Sequence, residues 1–545
     1  MKHLSLKTIT LLASGAGMVG CVPAEKEVQR PNIIYIMSDD HAYQAISAYG
    51  TGLYNTPNID RIANEGAIFT RATVTNSICA PSRAVMLTGK HSFMNGKVDN
   101  IHPFDWDQPN FPKLMQANGY QTAMIGKIHL DGIPQGFDYS MVLPGQGHYF
   151  NPDFLIGGER VRKEGYVTDI ITDATIDWLR NQRDPDRPFC VLYHHKAPHR
   201  EWEPAERHFR EYTNKAFPEP DNLFDDYEGR GTAARSAEMN ILEHMNWAGD
   251  SKLFPETMEE LGIQPPVTNP ANATPDVASL QKNLARYTGE QKAAWLETYT
   301  KVNEDFKKQY PTMTREDLMR WRYQRYMQDY LGTIAAIDEG LGKLLDFLEE
   351  AGLTENTIVV YTSDQGFFLG EHGWFDKRFM YEESFRTPLL IRYPKEIKPG
   401  KKIDKLVQNL DFAPTFLDYA GIEIPEAMQG KSFRRLLNGK SDQWRDAVYY
   451  TYYEYPSTHM VKRHYGVSTD RYKLMHFYYD IDEWEMYDLQ TDPMEMTNIY
   501  DDPVYAEVRE MLHRRLQELR EHYGDSDELN EKFLRTYLEH QAKRN

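Results

Sequence analysis

Two pairs of oxygen-bearing side chains, Asp39-Asp40 and Asp364-Gln365, each follow an apolar run in this chain. Oxygen-only donor sets suit a hard divalent cation, Ca²⁺ or Mg²⁺, rather than zinc or copper. Alone, Asp39-Asp40 reads sooner as a solvated loop or a helix cap. The second pair, at an equivalent strand end, turns the reading toward a metal site. Cys79 opens the run Cys79-Ala80-Pro81-Ser82-Arg83, followed by Leu87-Thr88-Gly89. Pro81 and Ser82 suit the first turn of a helix running toward Gly89. The amino end of a helix carries partial positive charge and free N–H groups, which favour a tetrahedral oxyanion. Arg83 would add charge-assisted bonds. The alternative for Cys79 is a buried structural thiol. Three further segments contribute cations and imidazoles: Gly126-Lys127-Ile128-His129, Ala197-Pro198-His199, and Gly370-Glu371-His372-Gly373-Trp374 with Lys377 after it. Preorganised Lys and Arg groups stabilise charge that develops in ester cleavage. His194, His195 and His372 read as structural.

These residues need a frame. Asn32 to Met37 is a continuous apolar run ending in Ser38-Asp39-Asp40, as a buried parallel strand reads. Thr357 to Thr362 is a second, ending in Ser363-Asp364-Gln365. Phe189 to Tyr193 is a third, leading to His194, His195 and His199. Tyr120 to Ile125 is a fourth, leading to Lys127 and His129. Between them, Ile334, Ile337, Leu341, Leu345 and Leu348 are spaced for a helix that stops at Gly352. The alternation predicts an α/β fold with a mainly parallel sheet. Ligands of such folds bind beyond the carboxyl ends of the strands, where all four runs deliver polar residues. After about residue 430 the texture changes. Ala447–Tyr453, Tyr465–Ser468 and Tyr472–Tyr479 are aromatic-rich strand candidates, and Tyr505–His522 is a helix candidate. We expect a catalytic α/β domain over 31–430 and a smaller α+β subdomain with an antiparallel sheet over 431–545. Residues 200–320 are charged, Pro-interrupted and poorly periodic, and read as an excursion that shapes the pocket rim. No internal repeat is evident.

The Cys79-Ala80-Pro81-Ser82-Arg83…Leu87-Thr88-Gly89 run resembles the C-x-P-S-R…L-T-G signature of type I sulfatases, and the Lys127, His199 and Lys377 segments resemble that family's G-K-x-H, P-H and G-E-H-G…K segments. The resemblance covers nearly the whole chain and implies an alkaline-phosphatase-like fold. It implies that a maturation enzyme converts Cys79 to formylglycine, whose hydrate is the nucleophile. It places a divalent ion, Ca²⁺ or Mg²⁺, on Asp39, Asp40, Asp364, Gln365 and the formylglycine oxygen at position 79. Arg83, Lys127 and Lys377 would hold the sulfate. His199 would protonate the leaving sugar oxygen, and His129 would take a proton from the hydrate so that sulfate is eliminated and the aldehyde returns; the two histidine roles could be exchanged. A bare cysteine is a poor sulfuryl acceptor beside a hard cation, which gives the conversion chemical sense. Sulfatases acting on N-acetylglucosamine-6-sulfate resemble this chain most, through Pro144–Tyr149, Ser363–Gly370 and Met460–Gly466. On that basis Arg463 and His464 are expected to read the sugar of a sulfated glycan, a glycosaminoglycan or mucin.

Composition limits the alternatives. At 545 residues the chain exceeds one hydrophobic core. With 62 basic and 81 acidic residues the formal charge is −19, which disfavours nucleic acid. It also repels long sulfated polymers, which favours attack at a chain end. Lys2 and Lys7 precede an apolar stretch, Ile9 to Val19, too short to span a bilayer. It ends in Met18-Val19-Gly20-Cys21, which resembles a bacterial lipoprotein box. The expectation is a signal peptide over 1–21, a lipid anchor at Cys21, a tether over 22–30, and a periplasmic or outer-membrane (cell-surface) location. The third cysteine, Cys190, sits in an apolar run as a core thiol, so no disulfide framework is expected. Two other readings compete: a formylglycine-dependent phosphonate or phosphodiester hydrolase, and a glycan-binding lipoprotein with a dead site.

Overall fold

The computed structural model describes residues 1, 30–272, 276–440 and 443–544. The signal peptide, Cys21 and the tether lie outside the described residues, apart from Met1 and Arg30. Among the described residues no helix is long and apolar enough to cross a membrane.

Ten strands form the main sheet, in the order 401–403, 67–69, 389–392, 357–363, 32–38, 189–194, 121–127, 139–143, 153–156 and 159–162. The five central strands, from Thr357–Ser363 across to Tyr139–Leu143, are mutually parallel, so their carboxyl ends share one edge. All four apolar runs become strands of this group. They are apolar throughout because both faces of the sheet are covered. Alternation along Asn32–Ser38 shows it. Ile34 and Ile36 point into one core with Ile337, Leu341, Leu345 and Leu348 of the long helix. Ile33, Tyr35 and Met37 point into the other with Ala80, Ala84 and Leu87 of the Cys79–Thr88 helix.

The long helix runs from Arg315 to Glu350, well beyond the segment its aliphatic spacing predicts. Thr314 and Asp317 form a capping box at its start. Its first half buries Met319, Tyr323, Tyr326, Met327 and Tyr330 in a separate aromatic cluster, a face that aliphatic periodicity does not reveal.

The second sheet is antiparallel, in the order 447–452, 464–469, 472–477 and 483–488. The last strand, Glu483–Asp488, alternates charged with apolar residues and was not expected. One face packs on Leu512, Leu516 and Leu519 of the helix Ala506–Tyr523. A further helix, Asp527–Arg544, was also missed, because its sequence is largely charged. The other face of the sheet, through Val448, Tyr450, Tyr452 and Met475, packs on Trp374, Phe379, Met380, Tyr381 and Phe385. These flank Lys377, so the second sheet braces a loop of the site.

Candidate active site

The two acidic pairs meet at the carboxyl edge of the main sheet. Asp39 and Asp40 follow the end of Asn32–Ser38, and Asp364 and Gln365 follow the end of the neighbouring Thr357–Ser363. Ser38 and Ser363 are in register, which places the pairs side by side. The Asp40 amide donates to Asp364 Oδ1 at 3.1 Å. One oxygen from each of Asp39, Asp40 and Asp364 lies within 4.8 Å of the others, and none of the three residues is exposed. Close backbone approach shapes this edge. A Cβ on Gly126 would stand 1.8 Å from the His194 carbonyl, and one on Gly366 would stand 2.1 Å from the Glu383 carbonyl. Only glycine permits those contacts.

Three buried carboxylates in one place require cationic neighbours. Lys127 pairs with Asp39, and Lys377 Nζ lies 2.7 Å from Asp40 Oδ2. Arg83 Nε and Nη2 each lie 2.9 Å from Asp364 Oδ2. Burial pushes the Asp39 carboxyl up, but Lys127, His199, Arg83 and Lys377 outweigh it and hold it well below the usual range. Burial raises Asp40 to about 6, although Lys377 opposes it. Burial, reinforced by Asp39, raises Asp364 to about 7. Gln365 Nε2 donates to Asp40 Oδ1 at 2.5 Å, while its buried Oε1 has no hydrogen-bond partner. An orphaned amide oxygen beside three buried, crowded carboxyl groups is the donor set a hard divalent cation fits.

Cys79 is the first residue of the helix Cys79–Thr88, which ends at Gly89 in the left-handed region. The thiol is 2% exposed and lies 3.3 Å from Asp39 Oδ1. Burial and Asp39 push its pKa well up, so the sulfur stays protonated and is a weak nucleophile as it stands. Arg83, one turn along the helix, also donates to the Lys127 carbonyl. Ser82 bonds the Asp364 carbonyl and accepts from Asn409 at 2.9 Å, which fixes the first turn.

The two candidate proton carriers differ. His199 Nδ1 lies 2.5 Å from the Arg200 carbonyl, so Nδ1 carries the hydrogen and Nε2 faces Asp40 Oδ2 at 3.9 Å. Burial, then Lys127, lowers its pKa well below that of free imidazole. His129 is half-buried, adopts φ 55°, and its Nδ1 has no partner among the described residues. Burial, then Lys127, lowers it likewise.

The structure brings Asp39, Asp40, Cys79, Arg83, Lys127, His129, His199, Asp364, Gln365 and Lys377 to this edge. It does not bring Arg463 or His464. Arg463 is fully buried, donates to the Tyr453 carbonyl at 2.6 Å and sits over the Tyr453 and Tyr478 rings. His464 bonds the Lys462 carbonyl at 2.8 Å and is packed among Tyr450, Tyr452, Phe379 and Phe477. Neither lines either of the two cavities at this edge. His459, five residues upstream of His464, does line one. His372 lies between Asp225 and Arg230 in the interior and holds its loop, as expected of a structural residue.

Two cavities open on the site. One, of about 280 Å³, is lined by Cys79, Lys377 and His199 together with Asn100, Asp376, Arg378 and His459. The other, of about 400 Å³, adjoins it through Gln146, His199, Arg200, Glu201 and Ser279. The excursion over 200–320 supplies Arg200, Glu201, Asn246 and Ser279 to the first and Lys282, Asn283, Arg286 and Tyr287 to the second. Asp376 accepts from Arg378 Nε at 3.2 Å and lies 3.2 Å from His459 Nε2. Gln146 accepts from Lys127. Asp376 and Arg378 flank Lys377 in the chain, and that adjacency was a usable signal. His459 and Gln146 had none beyond proximity to segments already noted.

The profile of the Sulfatase family matches residues 31–422, and that of the N-sulphoglucosamine sulphohydrolase C-terminal family matches 370–522. An N-acetylglucosamine-6-O-sulfatase of Bacteroides thetaiotaomicron is 50% identical over 527 residues, spanning 95% of this chain and 92% of that protein. The N-acetylglucosamine-6-sulfatase of Homo sapiens is 28% identical over 481 residues, spanning 83% and 72%. A solved structure of a protein in complex with its substrate D-glucosamine-2-N,6-O-disulfate superposes with a TM-score of 0.86 at 50% identity, covering 92% of this chain and 99% of that one.

Proposed function

The chain belongs to the sulfatase family, has its alkaline-phosphatase-like fold and is a sulfuric ester hydrolase; from that premise we propose that it removes the 6-O-sulfate of N-acetylglucosamine at the end of a sulfated glycan, using a formylglycine formed from Cys79. The observation that carries this reading is the position of Cys79. Its sulfur opens a helix, lies against Asp39 and faces the cavity that Lys377 and His199 also line. The relative that shares half its residues is an N-acetylglucosamine-6-O-sulfatase, which supports the sugar.

Asp39, Asp40, Asp364 and the free oxygen of Gln365 would hold the cation, Ca²⁺ or Mg²⁺. When bound, that cation supplies positive charge that favours ionised oxygens at the centre. A formylglycine at position 79 would supply, as its hydrate, the oxygen that attacks sulfur. Arg83 holds position 79 against Asp364 from one helical turn away. Lys127 and Lys377 neutralise the non-bridging sulfate oxygens as charge builds up. His199, with its tautomer set by the Arg200 carbonyl, stands where a leaving alkoxide takes a proton. His129, two residues beyond Lys127, would accept the proton of the hydrate. Asp376, Arg378, His459 and Asn100 line the same cavity and would meet the sugar hydroxyls. Attack at a chain end is supported by the small cavities and by the net charge of −19. Heparin-like chains, keratan sulfate or mucin would supply such an end. Export as a lipoprotein anchored at Cys21 rests on the Lys2-to-Cys21 pattern.

The test is sulfate release from N-acetylglucosamine-6-sulfate in the presence of Ca²⁺, with the mass of the Cys79 peptide recorded. We expect release from protein carrying the aldehyde and none from Cys79→Ala. Converted protein that ignores this sugar but desulfates another would overturn the sugar assignment and leave the reaction class standing.

A further inference from the structure

Lys196 stands in the larger cavity, not in the one that holds Cys79 and Lys377. It is 4% exposed. Among the described residues its Nζ has no hydrogen bond or ion pair, and its contact is with the Tyr149 ring, 4.7 Å from the centroid. Apart from the exposed Lys282 at the rim, the other Lys, Arg and Glu residues of this cavity are already engaged. Arg286 is held by Asp153 at 3.1 Å and by the Asn151 carbonyl. Arg200 is held by Asp250. Glu203 accepts from Tyr287 at 3.0 Å and from Trp295 at 3.1 Å, and pairs with Lys252 at 3.3 Å. Glu201 accepts from Ser279 and from Asn283 at 2.6 Å. A nearly buried ammonium with no acceptor is costly unless an anion completes it. Burial, then Lys127, brings Lys196 down to about 7, which an anion in the cavity would reverse.

We propose that the larger cavity is a second anion subsite, in which Lys196, with the exposed Lys282 at the rim, binds a sulfate or carboxylate that the substrate carries away from the scissile ester. This rests on the sulfatase reading of the adjoining cavity. The two cavities share Gln146, His199, Arg200, Glu201 and Ser279, so one ligand can extend from one into the other. Specificity would then favour glycan ends bearing more than one negative group, although the molecule as a whole is acidic.

The test uses full-length Cys79→Ser protein, which binds without turning over, and the same protein with Lys196→Met, which keeps the bulk over Tyr149. D-glucosamine-6-sulfate and D-glucosamine-2-N,6-O-disulfate are titrated calorimetrically into both. The expected result is an advantage of about tenfold for the disulfate, lost in Lys196→Met, as befits one charge-assisted contact. If the advantage appears only with a disaccharide sulfated on its second sugar, the anion comes from the neighbouring residue and the subsite stands. Equal losses for mono- and disulfated ligands would place Lys196 on the scissile sulfate and overturn the proposal. An unchanged ratio would leave it a cation over an aromatic ring and also overturn it. If neither sugar binds, the glucosamine reading fails by itself. Inorganic sulfate then serves as the probe, and the number of bound sulfates must fall from two to one in Lys196→Met for the subsite to survive.

Discussion

Tyr330 of the long helix ties down Asp40: its hydroxyl donates to the Asp40 carbonyl at 2.7 Å and accepts from the Ala42 amide at 2.9 Å. Asp40 adopts φ 65°, a left-handed conformation that a non-glycine residue holds only when its surroundings enforce it. The helix thus fixes, through one phenol, a residue proposed to hold the cation. Tyr330→Phe should cost about 1–3 kcal/mol, because two buried backbone groups lose their partner. It should also weaken Ca²⁺ binding by about tenfold, the effect of losing a group that orients a ligand. Thermal melts with and without Ca²⁺ check both. A variant that binds Ca²⁺ as tightly as the parent would show that Asp40 keeps its place unaided.

His199 is assigned to the leaving oxygen, and that role depends on how poor the leaving group is. His199→Ala should cut turnover of a sugar 6-sulfate by about 10²–10⁴-fold, the range for a lost general acid. An aryl sulfate, whose phenolate leaves without a proton, should lose far less. The comparison is kcat on both substrates for parent and variant. Equal losses would move the acid role elsewhere, His129 being the other imidazole at the edge.

Asp338 gives the fold a pH dependence. From the long helix it accepts the Asn58 and Ile59 amides at 3.0 and 2.9 Å, at the start of the helix Pro57–Asn64. Burial nevertheless raises it to about 6. The folded value lies above the unfolded one, about 3.9, so the folded protein holds this proton more tightly. Its contribution is full below about pH 4 and is lost as the pH rises through about 6. Asp338→Asn should flatten the stability profile between those values by about 2 kcal/mol relative to the parent. Urea unfolding at both pH values measures it, and parallel profiles would refute the assignment.

Arg463 is buried, bonded to the Tyr453 carbonyl and packed on two tyrosine rings, the surroundings of a scaffold residue. Arg463→Leu should lower stability by about 2 kcal/mol, because the Tyr453 carbonyl loses its donor. The KM for the sulfated sugar should stay within about twofold, as for a surface far from the contact. A large rise in KM with an unchanged melting temperature would return Arg463 to the substrate.

The parts of the site that sit at strand ends were legible because a parallel strand buried on both faces is apolar until it stops. Asp39, Asp40, Asp364 and Lys127 stand where the apolar runs break off. The helix at Cys79 was legible from Pro81, Ser82 and Gly89. Arg463 and His464 lie beside a turn of a sheet that is itself covered on both faces, so a basic pair there is interior, which the sequence around them does not reveal. Asp376, Arg378 and His459 come to the cavity through loops, where no periodicity says which way a side chain points. The helix Asp527–Arg544 was missed for a related reason: it buries few residues, Tyr537 among them, and displays no apolar stripe.

The cover over Cys79 has an order in time. The Ser77 amide donates to the Tyr450 hydroxyl at 3.2 Å, and the Thr451 amide donates to the Thr75 carbonyl at 3.0 Å, so the segment leading into Cys79 is held by residues that emerge from the ribosome long after it. With Cys79 2% exposed once the fold is complete, an enzyme that made the proposed formylglycine from it would have to reach it before this cover closes. Under the formylglycine proposal, maturation and folding would compete for the same thiol, and a molecule that folded first would keep its cysteine.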